Sequence, residues 1–146
     1  MARSFFASVE PQSTPELPFT YPALVESPLI LCVDDDPGIL ELLEDVLTAC
    51  GLRAVCTSDC STALKLIATE PIDLVVLDYQ MPQMDGLTLA QQMRAFKAQV
   101  PMILFSGALL PCEALDIVSR IIRKGDGALP LASAILETLS DSESAA

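Results

Sequence analysis

A chain of 146 residues, 51% apolar and 19% charged, is long enough for one globular domain with tails and can fill one core. Eight Lys and Arg against twenty Asp and Glu leave a net charge of −12, which argues against direct binding to a phosphate backbone. No apolar run approaches the ~20 residues of a membrane span, and the apolar patch in "MARSFFASVEPQS" is too short for a secretory signal. The expectation is a cytoplasmic protein without nucleic-acid or membrane partners.

Residues 1–27 form a zone of their own. Pro11, Pro15, Pro18 and Pro22 interrupt any helix or central strand. Yet Phe5, Phe6, Phe19 and Tyr21 are four of the seven aromatics, and aromatics are scarce in solvated tails. A flexible extension and a docking segment both fit. From residue 28 to about 140 the texture is that of a folded domain, and 141–146 read as a polar tail.

The folded part starts with "LILCV" (29–33), a strand ending in Asp34-Asp35-Asp36. Ile39, Leu42, Leu43, Val46 and Cys50 then recur at helical spacing. Asp36 suits the N-cap of that helix, Pro37 its first position and Gly51 its end. A short strand, "RAVCT" (53–57), leads to a helix near 60–69 with Ala63, Leu64, Ile67 and Ala68 on one face. "DLVVLD" (73–78) is the third strand. A helix over 86–97 follows, with Leu87, Ala90 and Met93 inward. "PMILFS" (101–106), a short helix near 111–118, "RIIRK" (120–124) and "LPLASAILETL" (129–139) complete the chain. Five strands alternating with helices, the central ones apolar throughout, predict an open parallel α/β sheet covered on both faces. Each crossover should be right-handed.

Five cysteines, an odd number with no Cys-x-x-Cys pair and no histidine, predict buried free thiols and no zinc site.

In such a sheet, ligands bind outside the carboxyl ends of the strands. There this chain places Asp34 and Asp35 after the first strand, Asp78 after the third, Ser106 at the end of the fourth and Lys124 after the fifth. Clustered carboxylates repel unless a cation intervenes. Mg²⁺ takes oxygen ligands and keeps waters or phosphate oxygens for the remainder. A carboxylate beside it can attack a phosphoryl group, and a lysine and a hydroxyl can stabilise the charge that develops.

"LILCVDDDP", "DLVVLDYQMPQMDG", "PMILFSG" and "IIRKG", in that order and on those elements, resemble the receiver domain of two-component response regulators. The resemblance spans residues 28–140. It implies a flavodoxin-like (βα)5 doubly wound sheet of strand order 2-1-3-4-5. It also implies a single-domain regulator that accepts a phosphoryl group on Asp78 from a sensor histidine kinase or phosphotransfer protein, and that signals by protein contact to a downstream target. Asp34, Asp35, Asp78 and the Gln80 backbone carbonyl would hold Mg²⁺. Ser106 and Lys124 would bind the phosphoryl oxygens. Asp36 is left as an N-cap, Asp85 would cap the third helix, and Pro82 and Gly86 would shape the loop after Asp78. The chain would be no enzyme beyond taking on the phosphoryl group and losing it again.

Ile121 stands where many relatives carry an aromatic, and Gly125 where the family has a proline, often after a cis bond. The segment between Ser106 and Lys124 is short by roughly one helical turn. These departures fall on the face of the fourth helix, fifth strand and fifth helix, through which relatives dimerise or bind targets. A homodimer through that face is one assembly the resemblance allows. A receiver-like adaptor that ignores phosphate is the alternative function. An aspartyl-phosphate hydrolase is disfavoured, because Gln80 stands where its general acid would be.

Overall fold

A computed structural model describes residues 27–145. The strands are β1 (Leu29–Val33), β2 (Arg53–Thr57), β3 (Leu74–Leu77), β4 (Met102–Ser106) and β5 (Arg120–Arg123). The helices are α1 (Pro37–Ala49), α2 (Cys60–Thr69), α3 (Gly86–Phe96) and α4 (Ala128–Ala145), with short 3-10 turns at Cys112–Asp116 and Lys124–Asp126. One five-stranded sheet has the order β2-β1-β3-β4-β5, with every pair parallel. This is the doubly wound order expected from the sequence.

Every residue of β1, β3 and β4 is buried. Alternate residues therefore feed two separate cores. Leu31, Val33, Val75, Leu77 and Leu104 pack with Ala63 and Ile67 of α2 and Leu89 and Met93 of α3. Ile30, Cys32, Val76, Ile103 and Phe105 pack with Leu43 and Leu47 of α1 and Leu131 and Ile135 of α4. Each fully buried aliphatic contributes roughly 1.5–3 kcal/mol relative to exposure. These central strands thus hold the carboxyl edge of the sheet rigidly in place.

Local chemistry sets the helix ends. Asp36 caps α1 by accepting from the Gly38 amide at 2.9 Å, with Pro37 at the first position. Gly51 leaves that helix at φ 79°, a conformation that favours glycine. Asp59 and Asp85 cap α2 and α3 through the Thr62 and Thr88 amides, both at 2.8 Å.

Several expectations need correction. The fourth helix is short and partly unwound, as the shortened segment implied, but the span expected near 111–118 narrows to a 3-10 segment at Cys112–Asp116, entered from Pro111 and pinned by buried Ala114, whose amide donates to the Pro111 carbonyl at 3.0 Å. In α2, Ala68 is exposed and Leu66 half-buried in its stead, while α3 buries Leu89 more deeply than Leu87. α4 continues to Ala145, past the end expected at 139, so its backbone stays helical through 141–145. No glycine or proline interrupts it there, and Arg120 of β5 reaches both Glu137 and Asp141 at 3.3 Å. All five thiols are free, but only Cys32 and Cys60 are buried; Cys50 and Cys56 are half-buried and Cys112 is exposed. Peptide bonds among the described residues are all trans, that between Lys124 and Gly125 included, since glycine lacks the cis tendency of proline. Apart from Ser27, the N-terminal extension and the readings made of it lie outside the described residues.

Candidate functional site

The parallel ladder brings the ends of β1, β3 and β5 to one edge. Asp34 follows β1 and is only 1% exposed. Its amide donates to the Thr57 carbonyl at 3.3 Å, and the Asp78 amide donates to the Val33 carbonyl at 2.9 Å. Backbone bonds thus lock the two acidic positions together before any side chain acts. Asp34 Oδ1 accepts from the Asp36 amide at 2.9 Å, which orients the carboxylate. Its Oδ2 lies 2.8 Å from Lys124 Nζ, and the same ammonium reaches Asp78 Oδ1 at 3.4 Å. Lys124 gets there because β5 ends at Arg123 and a 3-10 turn begins at Lys124, closed by the Gly127 amide on the Lys124 carbonyl at 3.1 Å.

Asp78, 6% exposed, sits at the foot of α3. A Cβ on Gly86 would fall 2.2 Å from the Asp78 carbonyl oxygen, and the Gly86 amide donates to the Tyr79 carbonyl at 2.7 Å. Only a residue without a side chain lets α3 press on the Asp78 backbone this closely. Sequence reasoning gave Gly86 a loop-shaping role and missed that contact. The one available signal was a glycine at the first position of a helix. Gln83 fastens the intervening loop to α2, accepting from the Cys60 amide at 2.9 Å and donating to Asp59 at 3.4 Å.

Burial, followed by the charge of Asp34, pushes the Asp78 carboxyl above its ordinary pKa; Lys124 opposes them. Burial pulls the Lys124 ammonium down, but its bonds to Asp34 and the charges of Asp34 and Asp78 outweigh that and leave it raised. Asp35 is exposed, and its carboxylate shares one cluster with those of Asp34 and Asp78, one oxygen from each lying within 4.8 Å of the others. Three carboxylates against one ammonium leave two negative charges uncompensated. That excess, and an all-oxygen donor set, fit one hard divalent cation, which at ~2.1 Å per ligand spans oxygens about 3–4 Å apart.

Ser106 ends β4 on the neighbouring strand and is buried, its Oγ accepting from the Ala108 amide at 3.1 Å. Gln80 lies two residues past Asp78, exposed on the loop at the same edge. The structure therefore joins Asp34 and Asp78 through Lys124, places an Asp35 oxygen within 4.8 Å of theirs, and sets Ser106 and Gln80 at the same edge of the sheet.

Residues 30–119 match the family described as the response regulator receiver domain. The chain belongs to this family. Among curated relatives, the sensor histidine kinase GacS of Pseudomonas protegens is 38% identical over half of this chain but only 8% of its own length. The Bacillus subtilis alkaline phosphatase synthesis regulator PhoP is 38% identical over 53% of the chain and 32% of its own length. The chain thus spans no more than about a third of these relatives. Among solved structures, the Thermotoga maritima response regulator TrrA, in complex with Mg²⁺–BeF, superposes with a TM-score of 0.70 at 28% identity, covering 77% of this chain and 98% of that one. The family match of this receiver domain stops at Ser119, just before β5. Beyond that point lie Ile121, half-buried against the core under α2 and α3, and Gly125. Receiver domains of two-component systems are phosphoacceptor signalling modules and not conventional enzymes, and no described helix is long and apolar enough to cross a membrane.

Proposed function

We propose that this receiver domain takes a phosphoryl group onto Asp78 from the phosphohistidine of a sensor kinase or phosphotransfer protein. An Asp78 carboxylate oxygen forms the new bond to phosphorus as the phosphorus–nitrogen bond breaks, and the histidine leaves with the electron pair. The observation that supports this best is the buried Asp34–Lys124–Asp78 contact set with Asp35 at its mouth.

Asp34, Asp35, Asp78 and the Gln80 carbonyl would hold Mg²⁺. When bound, the cation offsets the charge of the carboxylates and of the phosphoryl oxygens. The remaining work belongs to the chain. Lys124 Nζ, already within 3.4 Å of Asp78, pairs with a phosphoryl oxygen. The Ser106 hydroxyl uses its oxygen as acceptor for Ala108, so its proton is free to be donated to the same group. Asp34 keeps Lys124 aimed, and Gly86 keeps the Asp78 backbone fixed. Output passes by protein contact through the surface of β5, α4 and the 3-10 turn.

The test is incubation with acetyl phosphate or beryllofluoride and Mg²⁺. The expected result is one modification per chain, abolished in Asp78→Asn. A second reading, an adaptor that ignores phosphate, draws on Ile121 and Gly125. It is adopted if beryllofluoride leaves the protein unchanged and Asp78→Asn retains partner binding.

A further inference from the structure

The same sheet carries a second pair of reactive side chains. Cys32 of β1 and Cys56 of β2 are register partners, so they leave the sheet on one face at the same height. Neighbouring strands lie ~4.8 Å apart, which sets the two Cα atoms inside the roughly 4.4–6.8 Å range a disulfide requires. The Cys56 thiol donates to the Leu40 carbonyl, its Sγ 3.9 Å from that oxygen, and both cysteines sit in the core under α1 and α4. Cys32 is fully buried; Cys56 is half-buried on the edge strand, so an oxidant in solution meets Cys56 first.

We propose that Cys32 and Cys56 form a peroxide-sensitive dithiol whose oxidation to a cross-strand disulfide alters the carboxylate site. The Cys56 sulfur attacks a peroxide oxygen. The O–O bond breaks, one water leaves and Cys56 becomes a sulfenic acid. The Cys32 sulfur then attacks the Cys56 sulfur, the S–S bond forms and a second water leaves. Two thiols lose two electrons and two protons, and one hydrogen peroxide accepts them to become two waters.

The coupling follows from register. Side chains opposite each other on parallel strands keep their Cβ atoms near the strand spacing, whereas a disulfide draws them to about 3.8 Å. Closing the bond therefore pulls β1 towards β2. Asp34 lies two residues beyond Cys32, and its amide bonds the carbonyl of Thr57, the residue after Cys56. The pull reaches the backbone that sets the Asp34 carboxylate and, through it, Lys124. A disulfide closed against the strand spacing is also easily reduced, as regulatory ones are.

The experiment uses the full chain with Cys50→Ser, Cys60→Ala and Cys112→Ser, leaving only the pair. Hydrogen peroxide is titrated in, and intact mass, linked peptides and beryllofluoride affinity with Mg²⁺ are read. The expected result is loss of two hydrogens, a Cys32–Cys56 cross-link reversed by dithiothreitol, and several-fold weaker beryllofluoride binding, none of which occurs in a further Cys56→Ser variant. If the triple variant does not fold, tandem mass spectrometry of the unsubstituted chain locates the link. Cys56 recovered as sulfinic acid with Cys32 still a thiol overturns the proposal. The effect on affinity rests on the phosphoacceptor reading, but the cross-link does not. Hydrogen exchange of the Asp34 amide in the same samples decides the coupling separately, and unchanged protection in the cross-linked form refutes it.

Discussion

Replacing Gly86 with alanine probes how the acidic edge is held. The added Cβ would lie 2.2 Å from the Asp78 carbonyl oxygen, 3.0 Å from its carbonyl carbon and 3.1 Å from the Tyr79 Cα. All three are backbone atoms, so no side-chain rotation relieves the clash. An ordinary carbon–oxygen contact is ~3.3 Å, so α3 and the Asp78 backbone must separate by about 1 Å. Overpacking of this kind costs roughly 1–3 kcal/mol. Stretching the Gly86–Tyr79 bond adds about 1 kcal/mol, which the better helix propensity of alanine offsets by at most about the same amount. A net loss of roughly 1–3 kcal/mol lowers the urea midpoint by about 1 M. Gly38→Ala is the control. It also sits in the first turn of a helix, but its Cβ would approach only the Asp36 side chain, at 3.3 Å. Urea titration should separate the two variants clearly. Beryllofluoride affinity should fall only for Gly86→Ala, because only that change moves Asp78. Coincident midpoints and equal affinities for both variants and the parent would refute the reasoning.

Other substitutions address the charges. Lys124→Met leaves Asp34 and Asp78 buried without a counter-ion, so the domain in EDTA should lose about 2 kcal/mol, the full cost of breaking a buried pair being reduced by the partial exposure of the lysine. Mg²⁺ should then bind several-fold more tightly than to the parent by calorimetry, since its competitor is gone, while beryllofluoride binding weakens. Asp35→Asn should weaken Mg²⁺ with no change of melting temperature in EDTA, because that carboxylate is exposed. Asp34→Asn should lower both, since Asp34 also accepts from Asp36 and Lys124. Asp59, held at a pKa of about 2 by the Ser61 hydroxyl and then the Thr62 amide and hydroxyl, contributes stability present above the ordinary carboxylate pKa and lost as pH falls towards 2. Asp59→Ala should therefore lower the melting temperature at neutral pH and flatten its acid dependence over that window.

Much of this protein could be read from residue order. Apolar runs of strand length, helical spacings and the Asp36 and Asp85 caps are local features, set by contacts within a few residues. The parallel order followed from the alternation of strands and helices, and with it the edge where Asp34, Asp35, Asp78, Ser106 and Lys124 would gather. The sequence was less informative where a partner is remote. Which face of α2 meets the sheet decided that Leu66 is half-buried and Ala68 exposed, and the contacts of Arg120 with Glu137 and Asp141 join α4 to β5 across 17 and 21 residues of chain.

By itself, then, the amino-acid sequence determined which side chains reach the carboxyl edge and which family the chain resembles, because strand ends and caps are decided by short-range periodicity. Only the tertiary structure decided that Lys124 bridges Asp34 and Asp78, that Gly86 abuts the Asp78 carbonyl, and that Cys32 faces Cys56. Those distances depend on strand order, register and the packing of α3. Long-range contacts settle all three, and a one-residue slip in register would undo them.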